Sequence, residues 1–349
     1  MLTRNRKWTF GLLLAALLVV TAMLSGCGSK DGKEESAAAS GGAQEGQDRI
    51  SVKIADILTN PVFRVAKSKG FFEKYGIDAD LVTFATPAEG INSLFIKQVD
   101  VAYGADFPIL NAAGKGDYSI FATTGTGLSD KSAANWKLFV GKDVQQASDL
   151  KGKTVSTLRG TFISYLWDDY LSSNGLTLDD VKVVGQGGND EAYVALKKGE
   201  IDAVWVLGAA MTEKFAAIEG VHELTDMSKT NVRTGGDLIV PTTLVKEHPA
   251  ALANFVRALE ESSQFIASNP DEVADILYKE VKQPKDATLK DLPALNWSVG
   301  FSQEAFDSLN KQKQYMVENG IIEKDFNLAD KIVLDAVKEA VPDRVTYTK

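Results

Sequence analysis

The 349-residue chain has one cysteine and two histidines. With a single thiol no internal disulfide can form, and no cysteine-rich metal set has enough ligands. His222 and His248 stand apart from each other and from any acid cluster, and His248-Pro249 reads as a helix start. No Ser-His-Asp arrangement, metal-spaced His/Cys set or phosphate-binding P-loop is present in the pattern. The reading is therefore a non-enzyme with no cofactor and no metal. Positive charge is also in short supply: 38 Lys and Arg stand against 47 Asp and Glu, a net charge of −9. Without a basic stripe, nucleic acid is excluded as a partner. Long apolar runs are missing too, apart from one near the start, and that run is shorter than the roughly 20 residues of a membrane span.

That run is informative. "MLTRNRKW" carries Arg4, Arg6 and Lys7 and no acid. "FGLLLAALLVVTAML" follows, and the stretch ends in small residues, the pattern of an export signal. Leu24-Ser25-Gly26-Cys27 resembles the bacterial lipobox, which makes Cys27 a lipid attachment point, with residues 1–26 as the cleaved signal. Removing those residues takes three cations from 38 against 47 acids and leaves about −12. Residues 27–49, rich in Gly, Ser, Ala and charge, have no apolar period and read as a flexible tether. These observations predict an exported domain, held to the membrane through its lipid anchor only.

From Ile50 onward, strand-like and helix-like runs alternate. "ISVKIADI" and "IDADLVTF" read as strands, and "PVFRVAKSKGFFEKYG" as a helix between them. Thr86, Pro87 and Glu89 form a capping box with proline at the first helical position. "VDVAYG" and "YSIFATTG" continue the strands. A second set begins at "KLFVGK" and runs through the helices "TFISYLWDDYLSSNG" and "NDEAYVALKKGE", the latter capped by Asn189 or Asp190, to the strand "IDAVWVL". Such alternation implies an α/β fold with largely parallel sheets. After 240 the chain turns mainly helical, in "EHPAALANFVRALEESSQFIASNPDEVADILYKEV", "SQEAFDSLNKQKQYMVENG" and "LADKIVLDAVKEAV". This last third is expected to pack around the first set.

Five segments in this order carry a resemblance: "AKSKGFFEKYGIDADLVTF", "INSLFIKQVDVAYGADFPIL", "DLKGKTVSTLRGTFISYL", "ALKKGEIDAVWV" and "LVKEHPAALANFVRALEESSQFIASNPDE". Together they resemble the substrate-binding lipoproteins of bacterial ABC importers for nitrate, sulfonates and taurine, whose relatives bind thiamine-pyrimidine precursors. The resemblance implies the type II periplasmic-binding-protein fold: two α/β lobes joined by two crossing strands, with ligand between them. Lobe one would be 50–140 plus 240–349, and lobe two 141–239. It also implies a monomer that delivers a small molecule to an ABC permease and ATPase complex. Some relatives with this fold are thiamine-pyrimidine synthases, but those need a cysteine-rich stretch and a cofactor-bearing lysine. A sensory ligand-binding protein is a further alternative.

Ligands of parallel sheets bind beyond the carboxyl ends of the strands. The loops there name the candidate ligand residues: Thr59 and Asn60 after the first strand, Thr86, Asp106 with Phe107, Thr124, the turn Gly160-Thr161-Phe162, Trp205, and Gly208. Gly160, Thr161 and Phe162 head a helix and form an anion cradle from backbone amides. Thr86, Asp106 and Thr161 have a rival role as helix caps, and Phe107, Phe162 and Trp205 as core. Arg159 reads as an anion clamp or a solvated cation, and Trp136 as a hinge residue. Many members of the family carry a small neutral residue at the place of Asp106. A carboxylate there would disfavour nitrate and favour a ligand with an ammonium or ring N–H, such as a taurine-like zwitterion. The small residues of "GAAM" after the lobe-two strand would leave room for a bulkier ligand.

Overall fold

A computed structural model describes residues 49–57 and 60–349. The export signal, Cys27 and almost all of the tether lie outside the described residues, as does Thr59.

The chain first lays down β1 (Ile50–Ile57), α1 (Pro61–Ser68), α2 (Phe71–Lys74), β2 (Ile77–Phe84), α3 (Pro87–Phe95), β3 (Val101–Gly104), α4 (Asp106–Lys115) and β4 (Tyr118–Thr123). It then crosses through α5 (Asp130–Ala133) into β5 (Trp136–Gly141), β6 (Thr154–Leu158), α6 (Ile163–Ser173), β7 (Lys182–Gln186), α7 (Asn189–Lys198), β8 (Ala203–Leu207), α8 (Ala209–Ala216) and β9 (Val221–Asp226). It returns as β10 (Asp237–Pro241) and ends in α9 (Thr242–Glu247), α10 (Pro249–Ser268), α11 (Pro270–Val281), α12 (Lys285–Asp291), α13 (Gln303–Glu318) and α14 (Asp335–Ala340).

Two five-stranded sheets result, in the orders β2-β1-β3-β10-β4 and β7-β6-β8-β5-β9. β1, β2 and β3 pair in parallel, as do β6, β7 and β8. β10 runs antiparallel to β3 and β4, and β5 antiparallel to β8 and β9. These exceptions have one cause: β5 and β10 enter their sheets from the crossing side. Strand pairing puts Trp136–Gly141 in the second sheet and Asp237–Pro241 in the first. The expected boundaries at 140 and 240 therefore run through strands, and the true crossings are 124–135 and 227–236. There Gly127 N–H donates to the Thr234 carbonyl at 2.9 Å, so the two crossings brace each other.

Local chemistry explains most element ends. α1 and α3 begin with proline after Asn60 and Thr86, whose side chains accept from the Val62 and Glu89 amides. Glu89 completes the capping box one residue early, accepting from Ala85 N–H at 3.1 Å. The single helix expected over 61–76 breaks at Gly70, whose φ of 73° no helix interior adopts. The long helix expected after His248 splits at Asn269-Pro270 for want of a proline N–H. α7 is preceded by Gly188, which offers no side-chain cap, rather than being capped by Asn189 or Asp190. The "LADKIVLDAVKEAV" helix shortens to α14 after a 3-10 turn.

β1 alternates buried and exposed only as far as Lys53, then stays buried through Asp56 where β3 joins it. α10 does pack on the first lobe, against α1, α2 and α14. Its Phe255 ring meets Phe63, Phe72 and Phe121 at centroid distances of 6.4, 5.5 and 6.2 Å. In lobe two, Trp167 donates its indole N–H to the Ser156 carbonyl at 2.6 Å, tying α6 to β6.

Candidate functional site

The carboxyl ends of the parallel strands in the two lobes face each other. A Cβ added to Gly160, before α6, would lie 3.5 Å from Ala88 of α3. The rings of Tyr165 on α6 and Tyr315 on α13 are 4.8 Å apart. Asp291 of α12 accepts from Ala209 N–H of α8 at 2.7 Å, and Lys290 reaches Glu213 at 2.5 Å. These contacts outline a cleft with the crossings at its back.

On the lobe-one side, Asn60 is buried. Its Oδ1 accepts from Val62 N–H at 2.9 Å, and its Nδ2 has no acceptor among the described residues. Thr86 works as the α3 cap at the rim. Thr124 is turned inward: its hydroxyl donates to the Trp297 carbonyl at 2.7 Å and its amide to Gly236 at 2.8 Å. Gly236 admits no side chain, because a Cβ would fall 2.2 Å from the Thr124 oxygen and 2.6 Å from the Tyr103 hydroxyl.

Asp106 is wholly buried and opens α4 without capping it, the N-cap position being Ala105. One carboxylate oxygen accepts from Gly235 N–H at 2.9 Å and the other from Gln312 of α13. Asp237, also wholly buried, lies beside it: both carboxylates would touch a Cβ on Gly235. Burial pushes the pKa of both acids up, and their proximity raises that of Asp237 further. The two carboxyls therefore titrate as a pair rather than as separate groups. The Asp106 partners are thus protein groups of the crossing and of α13. Phe107 lies behind them, 6.1 Å from Tyr315. Nearby, Asp56 is paired with Arg64 at 2.7 Å, and desolvation still raises its pKa to about 7.

On the lobe-two side, Gly160 has φ 72°. Thr161 closes the turn, its amide and hydroxyl both donating to the Leu158 carbonyl at 3.2 and 2.8 Å. Phe162 is buried edge-on against Trp136 at 5.1 Å. The Arg159 side chain lies along Gly185 and Gly187 at the β7 tip. The structure does not bring Trp205 to the facing surfaces; its ring packs in the lobe-two core against Trp167 and Tyr170 at 5.9 and 5.6 Å. The space expected beside Gly208 is taken by Asp291, whose Oδ2 lies 3.6 Å from a Cβ there.

A cavity of about 230 Å³ opens beside the crossings, lined among others by Leu128, Tyr165, Asn231, Arg233 and Lys311. Arg233 is committed: it bonds the Thr230 carbonyl at 3.0 Å and pairs with Asp130. Sequence reasoning named none of Tyr103, Asp237, Asp291, Tyr315 or Gln312 as site residues. They come from distant segments, and no local spacing announces them.

The NMT1/THI5 like family model matches residues 61–273. "Putative binding protein BAB2_1146" of Brucella abortus (strain 2308) is 28% identical over 244 residues, covering 68% of this chain and 74% of its own. A Haemophilus influenzae protein named for thiamine biosynthesis is 25% identical over 244 residues, covering 67% and 74%. Among solved structures, the alkanesulfonate-binding protein SsuA from Xanthomonas axonopodis pv. citri, bound to MOPS, superposes with a TM-score of 0.71 at 14% identity, over 82% of this chain and all of that one. The desulfurization enzyme DSZB superposes at 0.62 and 15% identity, over 84% and 99%.

Proposed function

Because the chain belongs to the NMT1/THI5 like family and has the periplasmic-binding-protein fold, we propose that it is the solute-binding component of an ABC importer that closes its lobes on a sulfonate or taurine-like molecule. The observation that carries this is the turn Arg159–Phe162 of lobe two, directed at α3 of lobe one. Its local bonds occupy the Thr161 amide, while the Gly160 and Phe162 amides have no acceptor among the described residues. An anionic head group suits such amides at the start of the 11-residue α6. Asn60 Nδ2 supplies a donor from lobe one. Contacts to both lobes would stabilise the closed arrangement, and no bond would break. In this reading Asp106, buried and bonded to Gly235 and Gln312, serves the crossing and not an ammonium.

The proposal includes lipidation at Cys27, a domain outside the cytoplasmic membrane, function as a monomer, and delivery to a permease and ATPase. No helix among the described residues is long and apolar enough to cross a membrane. A second reading, a nitrogen heterocycle such as a thiamine pyrimidine, is supported by the Haemophilus influenzae relative and by the facing rings of Tyr165 and Tyr315.

The test is a melting-temperature screen of the full chain in detergent with taurine, alkanesulfonates, nitrate and aminopyrimidines. A ligand at 100 times its Kd adds about 2.7 kcal/mol of stability. A shift with sulfonates that Gly160→Val removes supports the first reading. A shift with aminopyrimidines alone replaces it with the second, and no shift with any compound overturns both.

A further inference from the structure

The first amides of a helix have no partner inside the helix and need an acceptor from elsewhere. At α8 the N-cap is Gly208, which has no side chain to supply one, and its φ of 95° would strain any other residue. The acceptor comes from the other lobe. Asp291 Oδ1 takes the Ala209 N–H at 2.7 Å, a carboxylate at the positive end of the helix dipole. The neighbouring Lys290 pairs with Glu213, further along α8, at 2.5 Å.

The segment that carries Asp291 is anchored in lobe one. Asp291 ends α12 and leads into a 3-10 turn at Leu292–Ala294. Trp297 donates to the Leu292 carbonyl at 2.9 Å, and Thr124, just past β4, donates to Trp297. α8 is anchored in lobe two, behind β8. The covalent paths between the two lobes are the crossings, so the 209–291 and 213–290 bonds exist only while the lobes are together.

We propose that Asp291 is an interlobe latch: a lobe-one carboxylate that caps a lobe-two helix when the lobes close and so sets how long the closed form lasts. Asp291 is a positioning residue in this role, since it acts through α8 and need not touch a ligand. The proposal rests on the closure reading of function but is tested without any ligand.

The experiment measures the lobe-to-lobe distance distribution between spin labels on Asp80→Cys and Lys198→Cys, both exposed, one in each lobe, with Cys27→Ser in the full chain. Asp291→Ala should lower the ratio of closed to open forms about tenfold, the effect of losing one hydrogen bond to a charged acceptor. Asp291→Asn, which keeps an acceptor oxygen, should restore part of it. Lys290→Met, at an exposed position, should shift the ratio the same way but less. Unchanged distances in folded Asp291→Ala and Lys290→Met would overturn the latch. If Asp291→Ala fails to fold, Lys290→Met and Asp291→Asn carry the decision. Taurine and alkanesulfonates are then added to the wild type. Failure of every compound to bind would count against the importer reading, while the ligand-free distances would still decide the latch.

Discussion

The two faces of the cleft are built from different materials. The lobe-one face rests on buried side chains: the Asp56–Arg64 pair, Asp106 with Asp237 and Gln312, and Thr124 bound to Trp297. The lobe-two face is a row of glycines, Gly160, Gly185, Gly187, Gly188 and Gly208, where the backbone itself is presented. The first face is stiffened by a polar network whose members cannot be removed singly without leaving a buried group unpaired. The second takes, at Gly160 and Gly208, positive φ values that favour glycine. Lobe one therefore offers side-chain groups held by buried bonds, and lobe two offers the unpaired backbone amides of Gly160 and Phe162.

The largest effect should come from cutting the lobe-one network. Asp106→Ala leaves the Gly235 amide without its acceptor, removes one of the two acceptors of Gln312 Nε2 and leaves Asp237 without its carboxyl neighbour, and should cost about 3 kcal/mol in urea unfolding. If it costs less than about 1 kcal/mol, the stiff-face description fails.

The same network should make stability depend on pH. Burial raises the pKa values of Asp56, to about 7, and of Asp106 and Asp237. The folded chain then binds more protons than the unfolded one above pH 4, so stability should fall as pH rises from about 4 to 7. Asp237→Asn, which cannot ionise, should flatten this fall, as read from melting temperatures at pH 5 and pH 8.

A smaller effect is expected on the glycine face. Gly208→Ala forces a non-glycine residue to positive φ, at roughly 1–2 kcal/mol, and crowds Asp291. Weaker lobe closure should accompany the lower melting temperature. Smallest of all, Thr86→Ala removes a cap whose bond to Glu89 N–H is 3.3 Å long, and should cost about 1 kcal/mol or less.

The glycine face was the more legible of the two. Gly208 follows a strand-like run directly and Gly160 follows one after Arg159, while on the lobe-one face the Thr86–Glu89 box can be read from four residues. Asp106 was legible as a residue but not in its role, because Asp237 lies 131 positions away and Gln312 206 away. Asp291 falls in "KDATLKDLPALN", which has no strand to mark a loop end. Trp205 was misleading because an aromatic within "IDAVWVL" looks the same whether it faces the cleft or the core. β10 was hidden for another reason. "DLIVP" is too short to show its direction, which is set by the crossing that feeds it.

The place of β10 in the first sheet has a consequence for assembly. It stands between β3 and β4, and β4 has no other strand partner. Sheet one therefore cannot close around β4 until residue 241 has been made, and Phe255 must arrive before Phe63, Phe72 and Phe121 have their common neighbour. Residues 136–226 meet no such delay, since all five strands of the second sheet are consecutive in the chain. For a chain that emerges N-terminus first, the lobe begun first is completed last, and the long loop that joins its halves is closed by an already folded unit.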